Sequence, residues 1–302
     1  MLWLVALCVS CSPFWAIRGG GATAQEQCKA VHLGSYPLRL DSSMFILLAP
    51  RDGARSASGS MFFAGSPHNY VWPNRPAVEK HVIGVIADSV GNSRLVTVPM
   101  LADSVEAVRV AELPDGRWAV AFIEVTGVPN RSYPETKHLW HGVHDGSGWT
   151  HLDSIPIPPG EVIDPTSSSS LVHRGTTLTW AVKTDEQAKV LVFSRDLSAG
   201  EWHVTRVKGT AGYLDLAYQQ NDELLVAMVG NDRTFQPLRD GNSLYVRRAN
   251  RPDFPTWRAA NYEDGAVHYP GFVRTPDGPL LVWTAVQGGE SFSGQSSRRL
   301  CE

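Results

Sequence analysis

Trp149, Trp202 and Trp257 lie 53 and 55 residues apart, and each starts a short strand-like run (Gly148-Trp149, Glu201-Trp202, Thr256-Trp257). A second recurring unit precedes them: a short apolar run, a tight polar turn and another apolar run. It reads as Val108–Leu113, Pro114-Asp115-Gly116 and Trp118–Val125, then as Ser170–His173, Arg174-Gly175 and Leu178–Val182. It returns as Leu214–Tyr218, Asn221-Asp222 and Leu224–Val229, and as Gly271–Thr275, Pro276-Asp277-Gly278 and Leu280–Val286. A poorer copy is Met44–Ala49, Arg51-Asp52-Gly53 and Ser60–Ala64. Asp-Gly and similar pairs tolerate the positive φ that tight hairpins need. One more strand lies between turn and tryptophan: His138–His144, Val190–Arg195 or Ser243–Arg248. Each unit therefore holds four strands. A four-stranded unit repeated at a fixed period is the signature of a ring of sheets.

These repeats predict an all-β chain folded as a single five-bladed β-propeller of four-stranded blades, with six blades as the alternative. The blades are expected near 41–101, 103–157, 164–209, 212–262 and 266–302 plus 28–40. Residues 1–24 read as a signal peptide: Leu2–Ile17 is almost wholly apolar, and Ala22-Thr23-Ala24 supplies the small residues a signal peptidase needs. The remaining domain, 25–302, divides by five into units of about 56 residues, which matches the tryptophan spacing. Export implies a secreted or periplasmic protein. A lipid anchor on Cys11 is the alternative. No transmembrane segment is expected in the mature chain, which reads as a monomer.

Only Cys28 and Cys301 remain after the leader, at opposite ends of the domain. In an oxidising compartment they read as one disulfide. Pairing Lys29–Leu33 with Arg298–Glu302 would complete the fifth blade, close the ring and bring these cysteines together. Two isolated cysteines lack the ligand spacing of a zinc site, so neither metal nor cofactor is expected. The formal net charge of −3 without basic clusters excludes nucleic acid as a partner class.

Ser194-Arg195-Asp196 followed by Gly200 and Trp202 resembles the Asp-box hairpin of sialidase-type (BNR-repeat) propellers, and His144-Asp145-Gly146-Ser147-Gly148-Trp149 is a looser version. The resemblance implies that the aspartate and glycines shape the turn between third and fourth strands, and that the tryptophan packs between blades. Asp164-Pro165 resembles the Asp-Pro pair of five-bladed family-43-type glycosidases. The arginine triad of sialidases has no counterpart assignable from this sequence, and the Glu-Gly-Pro motif of family 43 has no match.

The connections between second and third strands are expected to be long: Gly65–Lys80, Thr126–Lys137, Gly230–Gly241 and Gln287–Ser297. They share a face with the starts of the first strands, and long loops on rigid scaffolds carry binding sites. The first-strand starts hold Asp41, Asp103 with Glu106, Asp164, Asp215, and His268 with Tyr269; the loops hold Tyr70, Trp72, Arg75 and Tyr133. Glycoside hydrolysis needs two carboxylates about 5–10 Å apart, so Asp103, Asp164 and Glu106 are the candidate catalytic residues. Asp41, Tyr70, Trp72, Arg75, Tyr133, Asp215, His268 and Tyr269 are the candidate ligand-binding residues, because aromatic faces suit sugar rings and arginine suits carboxylates. No G-x-S-x-G elbow points to a serine hydrolase. The sequence supports a secreted carbohydrate-binding propeller with a glycan or protein ligand on the long-loop face. It keeps a glycoside hydrolase and a protein-interaction scaffold as alternatives, and leaves open whether the chain is an enzyme.

Overall fold

A computed structural model describes residues 52–296, apart from 57–58, 65–80, 89–91, 100–103, 127–135, 165–168, 185–188, 199, 209–212, 231–242, 250, 252–256, 262–264, 276–277 and 288–289. Every regular element in this set is a β-strand, and the strands form five antiparallel sheets in chain order. The first sheet is β1 (Asp52–Arg55), β2 (Met61–Ala64), β3 (His81–Ala87) and β4 (Ser93–Val98). The second is β5 (Ser104–Glu112), β6 (Trp118–Thr126), β7 (Thr136–His144) and β8 (Trp149–Ile155). The third is β9 (Ser170–Arg174), β10 (Thr177–Lys183), β11 (Lys189–Asp196) and β12 (His203–Lys208). The fourth is β13 (Leu214–Tyr218), β14 (Leu224–Gly230), β15 (Ser243–Arg248) and β16 (Trp257–Asn261), and the fifth is β17 (Gly265–Thr275), β18 (Gly278–Gln287) and β19 (Glu290–Ser296). Each sheet is an up-and-down meander, the blade of a β-propeller.

The second strands explain why the sheets stack around an axis. Trp118–Val125 of β6 is buried at every position, and Leu224–Val229 of β14 likewise. A strand flanked by partners within its sheet and covered on both faces reads as a continuous apolar run, not as an alternation. Among the described residues four apolar cores result, one between each consecutive pair of sheets. Phe62, Ile83 and Phe122 fill the first, Leu139, Trp180 and Phe193 the second, Val192, Leu216 and Met228 the third, and Leu225, Leu244 and Leu281 the fourth.

Positive φ falls at the expected turns: Gly116 at +81°, Gly175 at +55°, Asp222 at +67° and Gly278 at +115°. Two expectations are corrected. Asp52-Gly53 is not a turn, because Asp52–Arg55 is the innermost strand and pairs with Met61–Ala64. The turn lies at Ser56–Ser60, where the Ser56 N–H donates to the Ser60 carbonyl (2.7 Å) and Gly59 takes φ +86°. Nor is Gln287–Ser297 a long loop. Glu290–Ser296 returns antiparallel along β18, starting from the pair Gln287 and Glu290. The third strand of the fifth sheet is therefore β19 and not Arg298–Glu302. Residues 1–51 and 297–302 lie outside the described set, and with them the leader, Cys11, Cys28, Cys301, Lys29–Leu33 and Asp41. No described helix is long and apolar enough to cross a membrane.

The two Asp-box-like turns have the same build. Asp196 Oδ1 accepts the Ser198 N–H (2.8 Å) and hydroxyl (2.6 Å), and Gly200 takes φ +111°. Asp145 Oδ1 accepts the Ser147 N–H (2.6 Å), the Ser147 hydroxyl (2.7 Å) and the Gly148 N–H (2.9 Å). The Ser147 hydroxyl and these amides hold the Asp145 carboxyl down at about 2. The following tryptophans reach a neighbouring sheet or the core beside it. Trp149 Nε1 donates to the Thr97 carbonyl of the first sheet (2.8 Å), and Trp202 packs on the core between the second and third.

Candidate functional site

A cavity of about 610 Å³ runs down the axis, and residues of all five first strands line it. One position in each strand is equivalent by register. Asp52 stands opposite Ala64, Arg109 opposite Ala121, Ser170 opposite Ala181, Asp215 opposite Ala227, and Gly271 opposite Val282.

These five positions tie the sheets together. Asp52 Oδ2 accepts the Val110 N–H (2.9 Å), next to Arg109. Arg109 Nε donates to the Ser169 carbonyl (2.6 Å), and Ser169 Oγ donates back to the Ala107 carbonyl (3.1 Å). Ser170 Oγ donates to Asp215 Oδ1 (2.6 Å) and accepts the Leu216 N–H (3.1 Å). Asp215 Oδ2 accepts the Phe272 N–H (2.6 Å), next to Gly271. Gly271 has no side chain to continue the chain of contacts, and the Gly53 N–H is instead taken by Asp52 Oδ1 (2.9 Å). Buried backbone donors need such partners.

Burial raises the carboxyls of Asp52 and Asp215 above the ordinary range. The Arg109 charge and the backbone donors oppose this at both. A carboxyl raised in the folded state binds more protons there than in the unfolded chain, so its contribution falls as pH climbs from the ordinary carboxylate range through the raised value. Asp215→Asn is therefore expected to flatten the stability profile on that side, as read by urea midpoints from pH 4 to 7. Asp215→Ala leaves the Phe272 N–H and the Ser170 hydroxyl without their acceptor and is expected to cost about 1–3 kcal/mol. An alanine variant as stable as the asparagine variant would refute the stitching role.

Two first strands carry a one-residue bulge at matching places, between Glu106 and Arg109 in β5 and between His268 and Gly271 in β17. The extra residue takes positive φ in both, Ala107 at +50° and Tyr269 at +46°. Non-glycine residues rarely adopt that region, and such strain concentrates at functional sites. Ala107 is buried, whereas Tyr269 is 66% exposed. The Tyr269 ring sits 4.6 Å from that of Tyr213, centroid to centroid, and the His268 ring lies 6.0 Å from each. Tyr213 and Tyr269 both line the cavity, where they form an aromatic corner beside the Gly271 gap.

Of the residues singled out in the sequence, Asp215 and Tyr269 line the cavity and His268 supports Tyr269. Glu106 flanks the β5 bulge and Asp164 stands beside β10, outside the cavity lining; Lys183 Nζ donates to Asp164 Oδ2 at 3.1 Å. Asp103, Tyr70, Trp72, Arg75 and Tyr133 lie outside the described residues. Sequence reasoning missed Asp52, Arg109, Ser170 and Tyr213. The signal was present for Asp52. Asp52-Gly53-Ala54 and Asp215-Leu216-Ala217 share an Asp-x-Ala pattern at the same strand position.

No family model matches this chain, and no curated protein matches it. Solved structures do. A protein of unknown function from Dyadobacter fermentans superposes with a TM-score of 0.54 at 10% identity, covering 77% of this chain and 74% of that one. The Trypanosoma rangeli sialidase in complex with 2,3-difluorosialic acid gives 0.50 at 7% identity over 81% of this chain and 43% of the sialidase, so the chain spans under half of that enzyme. An exo-β-1,3-galactanase from Phanerochaete chrysosporium gives 0.44 at 9% identity, over 78% and 57%. At such identities the likeness is one of fold, and the fold is an all-β propeller similar to that of sialidases.

Proposed function

We propose that this chain is an exported carbohydrate-binding propeller that holds its glycan at the mouth of the central channel, against Tyr269 and Tyr213. The observation that carries the reading is Tyr269, a large aromatic residue left exposed at a strained bulge whose counterpart in β5 is a buried alanine. Aromatic faces offer sugar rings flat apolar area with little rotamer entropy to lose. The cavity volume suits a small ligand. The ring is taken to close at five blades, and the leader 1–24 and the Cys28–Cys301 disulfide belong to the same reading.

Binding is preferred to hydrolysis on chemical grounds. A retaining or inverting glycosidase needs two carboxylates free to exchange protons or attack. Each oxygen of Asp52 and Asp215 already accepts a hydrogen bond within the fold, and Asp164 is paired with Lys183.

Tyr269→Ala is expected to weaken glycan binding about tenfold, the loss of about 1–1.5 kcal/mol of stacking, without lowering the thermal midpoint. The measurement is a glycan-array screen followed by calorimetry on the strongest ligand. Binding unchanged in the variant, or no glycan bound at all, removes the reading. The second outcome would favour a protein-interaction scaffold. Turnover of any glycoside by the wild type would restore the hydrolase.

A further inference from the structure

A second cleft, of about 440 Å³, opens between the third and fourth sheets near the β9–β10 and β13–β14 turns. It shares no lining residue with the central channel. One wall is a face of the third sheet: Thr179 pairs across the strands with Ser194, and Val192 pairs with Thr205. The same face continues away from the cleft as Ala181, Val190 and Val207, which pack on the fourth sheet through apolar contacts. The face thus changes from aliphatic to hydroxylated along its length.

The hydroxyls divide into two groups. Thr179 is wholly buried, and its Oγ1 lies 2.6 Å from the Tyr218 hydroxyl, so this pair forms the cleft floor. Among the described residues, the hydroxyls of Thr177, Ser194 and Thr205 have no hydrogen-bond partner in the protein. Three unengaged hydroxyls facing one concave space must be satisfied by water or by a ligand, and a ligand that reproduces the water's hydrogen bonds displaces it at little cost.

Charge at the rim is internally balanced. Arg174 is ion-paired with Asp222 and donates to the Gln219 carbonyl and, at 2.7 Å, to the Gln220 carbonyl. Among the described lining residues no cation is left uncompensated for an acidic sugar. Leu224, Ala249 and Val192 supply apolar surface between the hydroxyls. Hydroxyls that both donate and accept, apolar surface between them and a neutral rim match the alternating O–H and C–H faces of a neutral pyranose. The volume is in the range of small-ligand sites.

We propose that this inter-sheet cleft is a second binding site, for a neutral sugar unit, independent of the channel. The test is a methyl-detected NMR titration of the full chain with D-glucose, D-galactose, D-mannose, L-fucose and N-acetylglucosamine, each to about 50 mM so that millimolar binding registers. At least one sugar should shift the Ala249 and Thr205 methyl signals saturably. The double variant Ser194→Ala, Thr205→Val keeps shape and removes two hydroxyls, and is expected to weaken the Ala249 response about tenfold or more. Its thermal midpoint should match wild type, since neither hydroxyl bonds the protein. Tyr269→Ala should leave the Ala249 response intact. No saturable shift with any sugar, or equal affinity in the double variant, overturns the proposal, as does loss of the Ala249 response in Tyr269→Ala. An Ala249 response that persists in a protein showing no Tyr269-dependent binding would reject the channel reading and keep this one.

Discussion

Gly84→Ala is expected to destabilise the fold by about 3 kcal/mol, at the upper end of overpacking costs. Gly84 lies inside β3, and Phe62 of β2 packs over it. A Cβ there would stand 2.4 Å from Phe62 Cε2 and 2.5 Å from the Phe63 carbonyl oxygen. Neither neighbour has room to move. Phe62 is wholly buried, edge-on to Trp118 at 5.9 Å and to His144 at 6.2 Å. The Phe63 carbonyl belongs to the backbone of β2, which is held in the β2–β3 pairing. Gly148→Ala is the control. Nothing lies within 4 Å of its added Cβ, and its midpoint should stay close to wild type. Urea denaturation at neutral pH reads both. A loss below about 1 kcal/mol in Gly84→Ala would mean that the first sheet repacks freely.

Much of this architecture was legible because it repeats. The polar turns at 114–116, 174–175 and 221–222 punctuate apolar runs, and the tryptophans mark the start of the fourth strands. What failed was local chemistry that tertiary contacts override. Asp52-Gly53 is a good turn pair by composition, yet Asp52 lies in a strand that pairs with β2, and its carboxylate accepts the Val110 N–H of the neighbouring sheet. Ser-Phe-Ser-Gly-Gln-Ser at 291–296 has a single apolar residue, yet it extends along β18 because that strand presents a full ladder of backbone partners. Periodicity reads what a strand buries, and it cannot read which neighbour supplies the hydrogen bonds. The Gly84 and Gly142 contacts were illegible for a related reason. The crowding atoms belong to Phe62 and Phe63 in one case and to Trp149 in the other, and no spacing rule gives their approach.

The axial cavity and the fold's seam are the same structure. The residues that would face a ligand in the channel are the ones whose oxygens and nitrogens hold consecutive sheets together. This separates positions that can be varied from those that cannot. The Tyr269 side chain takes part in none of the hydrogen bonds that Asp52, Arg109, Ser170 and Asp215 make to neighbouring sheets, so function can be tested there without unfolding the ring. Asp52, Arg109, Ser170 and Asp215 line the cavity and also hold the sheets, so loss of binding on their substitution would not separate a contact with ligand from a loosened fold.

Acid should attack the joint between the second and third sheets first. His141 of β7 is wholly buried, and neither ring nitrogen has a hydrogen-bond partner. Its ring faces Trp202 at 5.5 Å and His151 at 5.8 Å. Burial pushes its pKa down from 6.5 to about 3, with the charges of His151 and Arg195 adding and that of Asp153 opposing. Between those two values the unfolded chain binds the proton and the folded chain does not, so stability falls as pH drops below about 6.5. At 1.36 kcal/mol per pH unit, the drop from neutral pH to pH 4.5 is about 3 kcal/mol from this residue alone. His144 works in the same direction: burial and the Arg94 charge lower its pKa, and its Nδ1 accepts the Gly146 N–H at 3.0 Å. The raised carboxyls of Asp52 and Asp215 work in the opposite direction, so the wild-type profile is a sum, and a difference between variants isolates the histidine. His141→Met fills a similar volume with an adaptable apolar chain. It is expected to gain about 1 kcal/mol at pH 7.5, where an unsatisfied ring N–H is removed, and about 4 kcal/mol at pH 4.5. Urea midpoints at the two pH values decide it. Profiles that run parallel in the two proteins would show that His141 finds a partner or solvent on protonation, and that the second and third sheets part elsewhere.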